Sequence, residues 1–377
     1  MDIKKRVVIL YASAGHGHEK AAQAVLAALN KYHPEWETEI MDILKIINPV
    51  FGKNYRASYL YMIQRQSWLW GFMYYASDNG IIYSLLKPFR RLLNACMAKG
   101  LHEYLIERNP DVVLSAHFMS TEVAGHLKSH GKIKSRVITV VTDYLPHYFW
   151  VKKGVDVYAV PVAETVPAMV KRGAPKESLC ITGIPTDEKF SQRLDRSKLA
   201  VKYSLSLDAF TVLLTSGGAG VGDVEKITKG LFALAKPVQV LVVCGTNAAL
   251  KAHLESVVKE HPGLKVFGFV DTMDELMDFS DLIVGKGGGL TVTEALCKNR
   301  PMIIYQPVPG QETRNADIML KYKTAVVAQT YNDVIAGVAG FLNNPNQLAV
   351  YREAIARLAH PTSSREIAEL VVEQSHG

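Results

Sequence analysis

Residues 6–29 read RVVILYASAGHGHEKAAQAVLAAL. The β-branched run Arg6–Tyr11 has the composition of a strand, Gly15 and Gly17 make a turn, and the alanine-rich tail repeats at helical spacing. A strand that passes through a glycine turn straight into a helix is the opening of a βαβ unit, so this stretch points to an α/β fold. It also sets a question. His16 and His18 alternate with the two glycines, and the pair reads as a metal site, as a reactive base or as ordinary loop chemistry. No third ligand type clusters nearby in sequence, which weakens the metal reading.

Working outward, short β-branched runs alternate with helix-length segments along the whole chain. In the first half the predicted strands are Arg6–Tyr11, Thr38–Met41, Val112–Ser115, Arg136–Thr142, Val157–Val160 and Leu179–Ile181. A second series comprises Thr211–Thr215, Val238–Cys244, Leu264–Phe269, Leu282–Val284, Met302–Ile304 and Thr324–Val327. Between them lies a polar, charged stretch following Gly183 and Pro185. Two Rossmann-like α/β domains are therefore expected, 1–186 and 208–359, joined by a linker over 187–207. A C-terminal helix, about 363–374 within 360–377, has either half open to it, packing back on the first being one of the two arrangements. Ligands of open parallel sheets sit at the carboxyl ends of the strands, which would face a cleft between the halves.

At 377 residues the chain is long for one core and suits two. Hydrophobic residues make up 48% and charged residues 21%, the balance of a folded globular protein. The formal charge of +7 favours an anionic partner, either nucleic acid or a membrane surface. Cys96, Cys180, Cys244 and Cys297 show no C-x-x-C pair and read as reduced structural thiols of a cytosolic protein. The opening MDIKKRVVIL has too short an apolar run for a signal peptide. No stretch of about 18 uncharged apolar residues occurs, so no bilayer-spanning helix is expected.

Three glycine-rich turns follow predicted strands in the second half: TSGGAGVG at 215–222, GKGGG at 285–289 and PVPG at 307–310. Glycine lets backbone N–H groups approach a phosphate closely, and a helix N-terminus adds favourable partial charge. Lys286 precedes its glycines, so no Walker A loop is present, and GHGH lacks the G-x-G-x-x-G of a dinucleotide fingerprint. Glu294 lies one helical turn after Thr291, where a carboxylate suits ribose hydroxyls. The same two residues also make a T-x-x-E capping box, and the two readings coexist. Gln311, Glu312 and Asn315 cluster at the next helix start.

Taken in order, six motifs resemble the diacylglycerol glycosyltransferases, the processive diacylglycerol glucosyltransferases and monogalactosyldiacylglycerol synthases related to the lipid-linked N-acetylglucosaminyltransferase of peptidoglycan synthesis. They are GHGH (15–18), VVTDYLPHYFW (140–150), GIPTDEKF (183–190), FGFVDTMDELM (267–277), GKGGGLTVTEA (285–295) and PGQETRNA (309–316). The resemblance implies a GT-B fold, two Rossmann-like domains facing across a cleft. It also implies inverting transfer of a hexose from UDP-glucose or UDP-galactose to diacylglycerol, with no metal and no further cofactor. Carried over by position, Val270 meets uracil and Glu294 the ribose. Gly217, Gly218, Gly288, Gly289 and Thr291 surround the diphosphate, Gln311, Glu312 and Asn315 read the hexose, and Gly17 is a further donor-binding position. His147 falls on the acceptor side. The chain departs from the family pattern at His16 and Ala219.

Such a reaction needs a base, because a glycerol hydroxyl is a poor nucleophile. The candidates are His18 and Asp143, each at a strand end; Asp143 is alternatively the carboxylate that orients His18. Residues 51–100 supply the acceptor side. They hold seven Lys/Arg against one acid, and eleven of the chain's 33 aromatics. Trp68 and Trp70, with Arg90 and Arg91 following, read as an interfacial element for an anionic membrane, with aromatics at headgroup depth. The competing reading places these aromatics in the domain core. Nucleic acid is not expected, since the segment is tryptophan-rich and no RNA-binding motif is present. The resulting expectation is an enzyme of the cytoplasm, peripheral to the inner face of the cell membrane. A polyprenyl-linked acceptor and a non-catalytic UDP-sugar sensor are the alternatives.

Overall fold

Both faces of β1 (Arg6–Tyr11) are apolar, and this decides the layering around it. Val7 and Ile9 join a core with Val25 and Leu29 of helix His16–Tyr32 and with Ile367 and Val371 of helix Ser363–Gln374. Val8 and Leu10 join the opposite core, with Leu101 and Leu105 of helix Lys99–Arg108 and Val123 of helix Phe118–Ser129. Strands apolar on both faces belong in a parallel sheet covered by helices on each side. The computed structural model describes residues 4–13, 15–47, 54, 57–58, 61–63, 65–86, 88, 98–215, 223–258 and 261–375. It divides into two compact units. One is Met1–Glu188 with Pro309–Gln311 and His360–Gly377; the other is Lys189–Val308 with Glu312–Ala359.

In the first unit β1 pairs in parallel with both β2 (Glu37–Asp42) and β3 (Val112–Ser115). With β4 (Arg136–Val140), β5 (Val157–Val160) and β6 (Leu179–Ile181) the order is β2-β1-β3-β4-β5-β6. The second unit holds β7 (Phe210–Thr215), β8 (Val238–Val243), β9 (Leu264–Phe267), β10 (Leu282–Gly285), β11 (Met302–Tyr305) and β12 (Ala325–Ala328), ordered β12-β11-β10-β7-β8-β9. All twelve expected strands are present, each end within about two residues of its expected position, the usual fraying of strand boundaries.

The two orders share one consequence. Strand order reverses between β1 and β3 in the first sheet and between β7 and β10 in the second. At each reversal the chain leaves neighbouring strands in opposite directions and opens a crevice at their carboxyl ends, where α/β sheets bind ligands.

The stretch expected as a linker is folded instead. Asp195 caps helix Arg196–Tyr203 by accepting from Ser197 N, and Leu199 and Ala200 are buried. Lys202 and Tyr203 both reach Glu275, and Arg196 pairs with Asp281. Its charges read as solvated because their partners are 73 to 85 residues away in sequence. The helix Ser363–Gln374 packs against helix His16–Tyr32 in the first unit. Among the described residues, no helix is long and apolar enough to cross a membrane.

One close approach is built from two glycines. Gly154 has φ +86, and a Cβ there would run into the Gly125 carbonyl oxygen of helix Phe118–Ser129. Gly154→Ala combines a strained backbone with an overpacked contact, at a cost of about 2–4 kcal/mol. Urea denaturation should show the midpoint fall accordingly; an unchanged midpoint would contradict the close approach.

Candidate functional site

The crevice beside β1 in the first unit holds two imidazoles. His18 is the third residue of helix His16–Tyr32, whose N-cap is Gly15 in extended backbone, with Gly17 between the two histidines. His117 follows β3 as N-cap of helix Phe118–Ser129. Because β1 and β3 are neighbours, the two rings meet edge to face with centroids 4.7 Å apart and planes at 89°. His16 is exposed.

Hydrogen bonds assign the protons. His18 Nδ1 lies 2.8 Å from the Ala116 carbonyl oxygen, and Thr142 Oγ1 is 3.2 Å from the same nitrogen. A carbonyl only accepts, so Nδ1 carries the hydrogen and the neutral ring leaves Nε2 as an acceptor. One edge of His18 reaches solvent, yet the ring sits deep enough that burial pulls its pKa down to about 4 against the opposing Ala116 bond. It is a neutral base at pH 7. His117 has the opposite tautomer: its Nδ1 accepts from Met119 N at 3.2 Å, which leaves the proton on Nε2. It is 1% exposed, and burial first, then His18, holds its pKa well below the ordinary histidine value.

Asp143 lies at the carboxyl end of β4 and is buried. Its Oδ2 accepts from Trp150 Nε1 at 2.7 Å, and Gln311 donates its side-chain amide to Oδ1. The Trp150 indole lies 6.3 Å from the His18 ring. The tautomer of His18 is thus set by a backbone carbonyl, and Asp143 is linked to the histidine through Trp150. His147, expected on the acceptor side, is buried. Its Nδ1 accepts from Phe149 N, and its Nε2 donates to the Tyr74 carbonyl at 3.1 Å, tying down helix Ser67–Ser77.

That helix, SWLWGFMYYAS, buries only Gly71. Trp68 is 72% exposed and Phe72 69%, with Met73, Tyr75, Ile81 and Leu85 also exposed. Trp70 is half-buried and its ring lies 6.3 Å from that of Tyr74. The described part of the segment is therefore surface and not core. Arg90, Arg91 and Cys96 lie outside the described residues.

In the second unit the matching crevice lies between the ends of β7 and β10. Gly217 and Gly218 lie outside the described residues. After β10, a Cβ on Gly287 would press tightly on Ile304 and the Glu312 backbone, at 3.0–3.1 Å, whereas a Cβ on Gly288 would meet nothing within 4 Å. The capping box expected at Thr291 and Glu294 does not form. Helix Gly289–Cys297 starts two residues earlier, on Gly288 and without a side-chain cap, so Thr291 and Glu294 stand three apart on one face of its first turns. Glu312 accepts from Val308 N at 2.9 Å and from the Gly287 amide, and burial raises its pKa. Asn315, fully buried, donates to the Gly287 carbonyl at 2.9 Å. Both therefore brace the glycine turn. Val270 is half-buried beside exposed Phe269. Among the described residues, no cluster of three or more His, Cys, Asp or Glu is arranged to hold a metal ion.

The monogalactosyldiacylglycerol (MGDG) synthase family model matches residues 18–186, and the glycosyltransferase family 28 C-terminal domain matches residues 211–337. The processive diacylglycerol beta-glucosyltransferase of Bacillus pumilus is 31% identical over 380 residues, covering 100% of this chain and 96% of that protein. The chain belongs to the diacylglycerol glycosyltransferase family. The Bacillus subtilis member is 29% identical, covering 100% of this chain and 97% of that one. Among solved structures, Acinetobacter baumannii MurG superposes with a TM-score of 0.64 at 15% identity, covering 98% of this chain and 99% of MurG. Anabaena HepE, solved in complex with UDP-glucose, gives 0.57 at 11%, covering 98% of this chain and 99% of that one. The family fold is GT-B, and each unit here is one of its Rossmann-like halves.

His117 is absent from every expectation drawn from the sequence. Its signal was a histidine two residues past a predicted strand, but which strand lies beside β1 is a matter of topology.

The buried neutral imidazoles bear on stability. Below about pH 6.5 the unfolded chain binds protons that folded His18 refuses until about pH 4, so stability falls as pH drops through that window. His18→Gln should lose stability less steeply between pH 6.5 and 4 than the wild type in paired urea titrations; parallel curves would contradict a buried, neutral His18.

Proposed function

We propose that this protein transfers a hexose from a UDP-sugar to the free hydroxyl of diacylglycerol at a membrane surface. The observation that carries the reading is His18, a neutral imidazole with Nδ1 tied to a backbone carbonyl and Nε2 left to accept, at the crevice where its sheet reverses order. The substrates follow from relatives named for diacylglycerol and glucose, alike over the full chain.

In this reading His18 Nε2 takes the hydroxyl proton as the acceptor oxygen bonds to C1 of the sugar. The C1–O bond to the β-phosphate breaks, UDP leaves, and an α-linked donor gives a β-linked product. The leaving diphosphate is met by amides of the glycine turns and by helix N-termini, with no divalent metal. The open space over Gly288 suits close approach of that diphosphate, and Thr291 and Glu294 face the same way for phosphate and ribose. Glucose is the favoured sugar, since the curated relatives are glucosyltransferases; galactose is the sugar named by the matching family model. The exposed aromatic face of helix Ser67–Ser77 beds in the interface of an anionic membrane, on the cytoplasmic side, and presents diacylglycerol.

Offering radiolabelled UDP-glucose and UDP-galactose separately with diacylglycerol vesicles tests the reading. It expects label in a β-linked monohexosyl lipid, more from UDP-glucose. Donor binding without product, or label only in a polyprenyl-linked lipid, would overturn it.

Two substitutions follow. Glu294→Ala should weaken UDP binding about tenfold by calorimetry, the worth of a charged hydrogen bond to ribose; unchanged affinity would remove its ribose role. Trp68→Ser with Phe72→Ser should cut vesicle binding tenfold or more, at about 1.5–3 kcal/mol per buried aromatic, with UDP affinity intact. Equal vesicle binding would count against the interfacial helix.

A further inference from the structure

We infer that His117 is a positioning residue for His18, fixing the orientation of that ring and keeping water from its inner face. The proposal rests on the reading of His18 as the base of the transfer.

The first support is how firmly His117 is itself held. Its carbonyl oxygen accepts from Thr121 N at 3.1 Å and lies within hydrogen-bond distance of a cluster of buried hydroxyls, Ser115 Oγ at 2.9 Å, Ser120 Oγ at 2.8 Å and Thr121 Oγ1 at 3.2 Å, which also contact one another. Its Nδ1 caps the helix by accepting from Met119 N. Its ring lies 4.2 Å from Phe118, which in turn stacks on Phe149 at 5.3 Å. An N-cap needs a single acceptor. This residue also has its carbonyl buried among hydroxyls and its ring packed on Phe118, so the imidazole is held by more than its cap.

The second support is what that immobile ring touches. His18 has one strong hydrogen bond, Nδ1 to Ala116, about which an imidazole can still swing. Edge-to-face contact with His117, with the Trp150 indole 6.3 Å away and tilted, restricts that freedom. Trp150 is fixed by Asp143, so His18 is held by a backbone carbonyl and two aromatic rings, each anchored elsewhere. Among the described residues, the groups beside His18 include the Ala116 carbonyl, the Thr142 hydroxyl, His117 and Trp150; the carboxylate behind Trp150 is engaged by the indole and by the Gln311 amide. Because Nδ1 of His117 is occupied as an acceptor and the ring is buried, His117 stays neutral beside its neighbour. A charged partner at this distance would oppose the proton arriving on His18 Nε2. A base confined to one orientation is also already placed for a hydroxyl whose approach has to be accurate.

The discriminating variant is His117→Asn. Asparagine is among the best N-cap residues and retains the acceptor for Met119 N, but it removes the ring. The expected result is a fall in kcat of about tenfold or more with the donor KM nearly unchanged, because only the proton-transfer geometry is damaged. Water admitted beside His18 should also raise its pKa from about 4 toward the ordinary 6.5. Since the base works only unprotonated, the acidic limb of the rate profile should move to higher pH. His117→Phe, which keeps an aromatic body against His18 but no cap, should retain more kcat per folded molecule than His117→Asn.

Histidine-labelled protein titrated by NMR reads the His18 pKa with no substrate present, using His18→Gln to assign the signal. A raised His18 pKa in His117→Asn supports the proposal even if the wild type proves inactive on diacylglycerol, which would overturn the function alone. An unchanged His18 titration, together with Asn and Phe variants of equal kcat, would reduce His117 to a helix cap and overturn the proposal.

Discussion

A hydrogen bond from His18 Nδ1 to the carbonyl oxygen of Ala116 ties the helix that follows β1 to the residue that leaves β3, where the first sheet reverses its order. The bond exists because β1 and β3 are neighbours in parallel register, Leu10 opposite Ser115, so that the residues leaving each strand face one another. It assigns the tautomer of His18 without any charged partner. That differs from an arrangement in which a carboxylate orients the imidazole and shares its charge. Here the ring stays in a weakly polar surround, and its pKa falls instead of rising.

The second unit solves a different problem with the same topology. Its crevice opens between β7 and β10, and the glycine turn after β10 is pinned from behind by Glu312 and Asn315 through its Gly287 amide and carbonyl. Gly287 is packed tightly against Glu312 and Ile304, while Gly288 faces open space. Two adjacent glycines thus serve opposite needs, one turned toward protein and the other toward whatever occupies the crevice.

The strand pattern was legible because both faces of each central strand are buried, which writes itself as unbroken β-branched runs such as VVIL and VLVV. Strand order leaves no such mark. His117 was invisible for that reason, since only the adjacency of β1 and β3 brings a residue about a hundred positions away against His18. The helix Arg196–Tyr203 was mistaken for a linker because it buries two residues and its charges find distant partners. The capping box failed through competition: Gly288 in extended backbone can start the helix two residues before Thr291, and the hydroxyl is left out of the cap. His147, expected on the acceptor side, is buried, with its ring bonded to the backbone carbonyl of Tyr74.

The nitrogen shifts of the His18 ring test the central claim most directly. At pH 7 the account predicts a neutral imidazole whose Nδ1 carries the proton and whose Nε2 shows the shift of a bare, accepting nitrogen. A ring protonated at Nε2, or an imidazolium at that pH, would contradict it.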